Sequence, residues 1–485
     1  MKLNELTLKQ AQDGLERKDF SSLELTQACI AATEEHKDLN AFITVTAELA
    51  RKQAQKVDEM RSRGEKLFPL SGIPFSVKDA ICTKGVRSTG AALILDHYIP
   101  PYDATTVARI FAQGGVLLGK TNCDAFGHGA SNENSCFGAV KNPFDHTKVA
   151  GGSSGGAGAA VASHMGIYAI AEDTGGSVRC PASFCGSVGL KVSYGRNSRY
   201  GAMPMGSSLD SIGVIGKRVY DVACVEQVIA GHDVYDATTT QEPVPDFVAA
   251  LESNLRKFSG LTIGLPKEYY ASGLDPDVEK SVMEAVEKVK GLGAQVKEVS
   301  LPMTKYAVAT YYIIVPSEDS ANLARLDGMR YGVRNKEANN LYETYAYSRR
   351  DGFPSEVKRR IMIGTYALSS GYYDAYYLKA QKVRMLIRRD FEEVFRSVDL
   401  LLTPTQPTTA FAIGKNVNDP LQMYLQDVYV IPASVAGIPA ISIPCGKDSS
   451  GLPVGLQLIA PFLQEQKLLS VAELLEKVLE YEHAN

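Results

Sequence analysis

Apolar positions along the chain change their period several times, and each change marks an element. The first sixty-odd residues read as helices: Ser21 with Glu24 makes a capping box for one running to about His36. Ala41–Val45 is strand-like, and Thr46 can cap a second helix that stops at Gly64. From Gly72 to about residue 216, short apolar strands (Ile73–Val77, Val116–Leu118) alternate with helices and with Gly/Ser-rich loops. A second α/β stretch follows, with Leu261–Leu265 as a strand and Val278–Lys290 as a helix. Asp275 caps that helix, with Pro276 at its first position. Residues 305–395 are helical and Tyr-rich, Tyr372, Tyr373, Tyr376 and Tyr377 falling in one segment. Val398–Leu402 is a strand, and Ala440–Pro444 with Val454–Ile459 forms a strand pair around the turn Lys447–Gly451. An amphipathic helix runs from about Glu465 to Tyr481.

Strands and helices alternating throughout predict one large α/β unit with helices on both faces. No repeat, low-complexity linker or charge block divides the chain. It therefore reads as a single domain over residues 1–485: a helical segment to about 65, a core of about 70–216 and a C-terminal α/β portion of about 260–485.

Composition narrows the function classes. The 45% apolar and 22% charged residues are ordinary for a soluble enzyme. A net charge of −4, with no Lys/Arg run longer than a few residues, gives no standing footprint for nucleic acid, so any RNA would be held mostly by a partner. Eight cysteines, at 29, 82, 123, 136, 180, 185, 224 and 445, form no CxxC and fit a reducing compartment. No stretch approaches a spanning helix and the N-terminus carries no signal-like core, so a cytoplasmic protein without membrane contact is expected.

Two motifs match by letter and not by context. Gly114–Thr121 satisfies G-x4-G-K-T, but a helix precedes it and Val-Leu-Leu fills the would-be phosphate loop, so a helix-turn-strand unit is expected instead. Gly151-Gly152-Ser153-Ser154-Gly155 satisfies G-x-S-x-G without a strand before it. Only His164, His232 and His483 follow it, so a Ser-His-Asp enzyme is poorly supported.

What remains is a pair of glycine doublets, each directly before a serine. Gly151-Gly152-Ser153 and Gly175-Gly176-Ser177 place their serines 24 residues apart around a small-residue helix, Ala157–Ser163. Glycine pairs admit close backbone approach, and successive N–H groups in such a turn make a concavity for negative charge. A base is still needed. Lys78, ending the apolar run Ile73–Val77, is a candidate, since burial favours the neutral amine that can accept a proton.

Lys78, Gly151–Gly156 and Asp173–Arg179, in that order and spacing, resemble the amidase signature family from about residue 20 to 475. The resemblance implies a single large mixed β-sheet flanked by helices on both faces. It assigns Ser177 as nucleophile, Ser153 as bridging serine and Lys78 as general base. The N–H groups of Thr174, Gly175 and Gly176 would face the oxyanion. Four positions depart from the family pattern: Ala150 for proline, Glu172 for a small residue, Cys180 for a polar one, and Val192-Ser193 for Pro-Thr. Glu172 and Cys180 flank the nucleophile loop.

Within the family, Gly119–Asn122, Glu133-Asn134-Ser135, Tyr194–Gly201 and Ser369–Tyr377 are similar to the glutaminase subunits of tRNA-dependent amidotransferases. That likeness gives Arg360 to the α-carboxylate of L-glutamine, Asp427 to its α-ammonium, and Tyr311 to the same pocket. On sequence alone, Lys358-Arg359-Arg360 reads as a basic helix surface. The likeness further implies B and C partner subunits, with ATP, magnesium and most of the aminoacyl-tRNA contact belonging to B, and no metal or cofactor in this chain. The acceptor would be Glu-tRNA(Gln), with Asp-tRNA(Asn) also open. The rival readings are a stand-alone amidase of other small amides, a non-catalytic scaffold and, last, a P-loop ATPase.

Overall fold

The computed structural model describes residues 2–252, 258–270 and 273–479. Its strands are β1 (Phe42–Val45), β2 (Pro74–Lys78), β3 (Val116–Thr121), β4 (Tyr168–Asp173), β5 (Val188–Lys191), β6 (Ser211–Gly216), β7 (Thr262–Pro266), β8 (Gln295–Val299), β9 (Leu400–Pro404), β10 (Ala440–Lys447) and β11 (Pro453–Ile459). All eleven join one sheet in the order β1-β3-β2-β4-β6-β5-β10-β11-β9-β7-β8. The sheet is mixed: β3-β2-β4 and β9-β7-β8 run parallel within their groups, while the strands between them pair antiparallel.

Side-chain alternation along the strands gives each face its own core. Leu400 and Leu402 of β9 enter one core and Leu401 the other; on β11, Leu456 and Leu458 oppose Ile459. Helices Val219–Ile229, Pro276–Gly291 and Glu465–Leu479 cover the first face. Helices Ala307–Asn322, Lys379–Val394 and Ile431–Ala436 cover the second. This is the α/β architecture that the sequence implied. Among the described residues no helix is long and apolar enough to cross a membrane.

Ser21 does close a capping box with Glu24 ahead of helix Ser22–Glu35. Asp275 likewise caps Pro276–Gly291 through the Asp277 N–H. Thr46 does not cap: its hydroxyl donates to Leu117 O at 2.8 Å, tying β1 to β3 instead. The helical stretch 305–395 is interrupted between Leu326 and Asn340. Residues Tyr481 and His483 lie outside the described residues.

Gly114–Thr121 is the turn and strand expected in place of a phosphate loop. Lys120 is wholly buried in β3, donating to Ser88 Oγ at 2.7 Å and to the carbonyl of Ile81. Such a lysine has no reach to a nucleotide.

Candidate active site

The parallel strands β2 and β4 are level at Val77 and Ile170, so their C-terminal ends open at one edge of the sheet. Sites in α/β sheets form at such edges because the chain leaves each strand there by a loop. Lys78 is the last residue of β2 and Asp173 the last of β4.

Lys78 Nζ donates to Ser153 Oγ at 2.7 Å, both groups fully buried. Ser153 sits in a loop held by its neighbours: Asp124 N–H donates to Ser153 O at 3.0 Å, and Gly152 N–H to Ala130 O at 2.9 Å. The Gly152–Ser153 peptide is cis. A side chain at 152 would stand 2.2 Å from the Asp124 carboxylate, which is why glycine precedes this serine. Asp124 fastens the adjoining loop by accepting from Asn132 and Asn134 N–H, each at 2.9 Å.

Ser177 lies in the turn between β4 and helix Arg179–Phe184. The strand-turn-helix that G-x-S-x-G lacks around Ser153 is therefore present around Ser177. The two loops interlock, Ser154 Oγ donating to Glu172 O at 3.3 Å and Cys180 Sγ to Ala130 O at 3.6 Å. Of the three groups, Ser177 alone keeps measurable exposure, 7% against 0% for Lys78 and Ser153. Ser177 is thus the one of the three that can be reached from outside.

A clamp unforeseen in the sequence fixes this turn. Asp173 accepts from the N–H groups of Gly176 (2.8 Å) and Val178 (3.2 Å) and from Arg179 Nε (3.0 Å) and Nη2 (2.9 Å). Arg179, wholly buried, also donates to Val430 O, Gln457 Oε1 and Ser434 Oγ. Burial opposes ionisation of Asp173, but the Arg179 guanidinium outweighs it and holds the carboxyl down at about 2.

The clamp corrects one expectation. Gly176 N–H is spent on Asp173 and does not face an oxyanion. Thr174, Gly175 and Ser177 have backbone N–H groups without a hydrogen bond among the described residues. Gly176 is required for another reason: its φ of +121° is open to glycine, and a Cβ would strike Val430 at 2.2 Å.

Asp173→Asn should leave the Arg179 charge buried without its counter-ion and cost about 3–5 kcal/mol in chemical denaturation at pH 7. The stabilisation has the sign of a depressed carboxylate: fully present above about pH 4, lost as pH falls toward 2.

The second group of predicted residues lies beyond the turn. The Tyr311 ring lies on Gly175, where a Cβ would be 2.6 Å from it. Tyr312, which the sequence did not single out, donates its hydroxyl to Asp427 Oδ2 at 3.2 Å. Arg360 is not on the helix surface. It is 2% exposed, its guanidinium 5.0 Å from the Tyr312 ring centre and 5.4 Å from that of Tyr424, with Nε donating to Glu356 at 2.8 Å. Among the described residues its two Nη atoms make no hydrogen bond. Burial pushes the Asp427 carboxyl up to about 8, Arg360 pulling the other way.

The fold, the buried Lys78–Ser153 pair and the glycine-flanked Ser177 in the turn after β4 are those of an amide hydrolase. The chain belongs to the amidase family, whose profile matches residues 24–469. It is 53% identical over 468 residues to the A subunit of glutamyl-tRNA(Gln) amidotransferase from Prochlorococcus marinus, covering 96% of each chain. It is 52% identical over 482 residues to the same-named protein of Moorella thermoacetica, covering 99% of this chain and 98% of that one. The crystal structure of the Thermotoga maritima protein of that name superposes with a TM-score of 0.81 at 39% identity, covering 98% and 95%. A bacterial aryl acylamidase of the amidase signature family, 25% identical and covering 98% and 96%, gives 0.85. Backbone likeness thus does not separate the substrate classes.

Proposed function

We propose that this chain is the glutaminase subunit of a tRNA-dependent amidotransferase. Its reaction releases ammonia from L-glutamine for the amidation of Glu-tRNA(Gln). The observation that carries the substrate is the buried Arg360–Asp427 pair around the Tyr311-Tyr312 step that overlies the nucleophile turn. A simple amide offers nothing to either charge. A free α-amino acid offers both a carboxylate for the guanidinium fork and an ammonium for the carboxylate.

Ser177 Oγ attacks the side-chain amide carbon while its proton passes to Ser153, whose own proton passes to the neutral Lys78 amine. Oxyanion charge falls toward the N–H groups of Thr174, Gly175 and Ser177, each such donor being worth about 3 kcal/mol in the transition state. Collapse breaks the C–N bond, and the relay returns its proton to the leaving nitrogen as ammonia. Water, activated by the same relay, then opens the ester to glutamate.

B and C subunits would receive this ammonia, B binding the tRNA and using ATP and magnesium to activate the acceptor carboxylate. Such a division of labour suits a chain with a net charge of −4 and a buried Lys120 in place of a phosphate-loop lysine. Ammonia release from L-glutamine should appear, or rise at least about tenfold, when B and C partners join the purified chain. Turnover of aryl or alkyl amides without any glutamine turnover, with or without partners, would move the chain to the stand-alone amidases.

A further inference from the structure

Glu172 is the penultimate residue of β4 and is 1% exposed. Neither carboxyl oxygen makes a hydrogen bond among the described residues. The single cationic group within 4 Å, again among the described residues, is Lys78 Nζ at 3.7 Å, itself bonded to Ser153. A buried carboxyl group left without hydrogen-bond donors is costly, and structures retain one where it acts on a neighbour.

We propose that Glu172 is a positioning residue for the general base: across the ends of β2 and β4 it shares a proton with Lys78 and so sets the pH at which the amine can accept the proton of Ser153. The inference rests on Lys78 being that base.

The sign follows from counting protons on the pair. With two protons it is ammonium and carboxylic acid. With one, the proton resides on the amine, the stronger base, and the ammonium is held by the carboxylate beside it. That state cannot accept from Ser153. Only loss of the second proton frees the amine, so the carboxylate delays the onset of activity to higher pH. Other ionisable groups share the same spot: Asp210, in the loop before β6, and Arg199 act on Glu172, while Cys123 and Asp124, after β3, feel the Lys78 charge. Burial, with Asp210 adding to it, raises the Glu172 carboxyl to about 8, while Lys78 and Arg199 work against the rise. Asp210 is already engaged by Thr174 Oγ1 at 2.7 Å and by Met205 and Gly206 N–H, each at 3.0 Å. Glu172 is therefore the carboxyl group free to respond to Lys78.

The test is the pH profile of kcat/KM for ammonia release from L-glutamine, measured on the full chain with its partner subunits for wild type, Glu172→Gln, Glu172→Asp and Lys78→Ala. Removing the carboxylate should move the acid limb of Glu172→Gln down by about one pH unit or more, making it faster than wild type below that limb. Glu172→Asp, which keeps the charge, should stay within about half a unit of wild type, and it serves if the glutamine variant fails to fold. An acid limb that stays in place or moves upward in Glu172→Gln, with Lys78→Ala inactive, would overturn the role of Glu172 alone. Activity retained in Lys78→Ala would instead overturn the base assignment beneath it. A merely structural role would lower kcat at every pH without moving the limb.

Discussion

Ser177→Ala is expected to lower glutamine-dependent ammonia release by at least about 10⁴-fold, with Lys78→Ala and Ser153→Ala close behind. The losses should not add. The three groups form one relay, so a double variant should be no worse than the poorer single one, as happens wherever residues act as a unit. Ser177→Ala removes the atom that forms the ester. Lys78→Ala leaves Ser153 Oγ without the amine 2.7 Å away that makes it an acceptor. Folding distinguishes the variants: Ser177 is at the accessible end and its truncation should leave thermal stability nearly unchanged. Lys78→Ala empties a wholly buried site and leaves Glu172 without its cation. Near-full turnover in Ser177→Ala, measured by ammonia release in the assembled enzyme, would end the assignment.

The parts of the proposed relay were legible in the sequence because they are local signatures: two Gly-Gly-Ser turns and a lysine closing an apolar strand. What held them together was not. Lys78 and Ser153 are 75 positions apart and meet where β2 lies beside β3, because the loop that leaves β3 holds the Ser153 turn through Asp124 and Ala130. β4 itself, Tyr-Ala-Ile-Ala-Glu-Asp, ends in two carboxylates that interrupt an apolar strand pattern, yet both are buried. The Asp173 clamp on Gly176 was out of reach for the same reason. A sequence shows that a turn has three N–H groups, but not which of them a neighbouring side chain has already taken.

Arg360 shows the same limit from the other side. Three consecutive basic residues on a helix look alike in one dimension, but each is rotated about 100° from the last. Arg359 is left partly exposed, while Arg360 turns inward between Tyr312 and Tyr424. Composition favours the surface reading, and only packing reverses it.

That inward turn makes the second large prediction, which concerns discrimination rather than rate. Asp427→Asn should lower kcat/KM for L-glutamine relative to that for butyramide, an amide without α-ammonium and α-carboxylate, by about 100-fold. Arg360→Lys should do the same, because an ammonium cannot reproduce the planar fork that grips a carboxylate at two points. Lysine is the informative replacement. Arg360→Ala would empty a buried site and leave Glu356, itself 6% exposed, with Arg359 as its one remaining guanidinium, and so confuse binding with a loss of packing. Asp427 also predicts its own pH dependence. With its carboxyl raised to about 8 by burial, it is largely protonated at neutral pH, and an arriving ammonium replaces the missing solvation and ionises it. Glutamine binding should therefore release a proton near pH 7, read as a buffer-dependent enthalpy in calorimetry with Ser177→Ala, and Asp427→Asn in that background should abolish the release. If both substrates lost efficiency equally in Asp427→Asn, the carboxyl group would be supporting the fold of the turn, and the pocket would not be reading an amino acid.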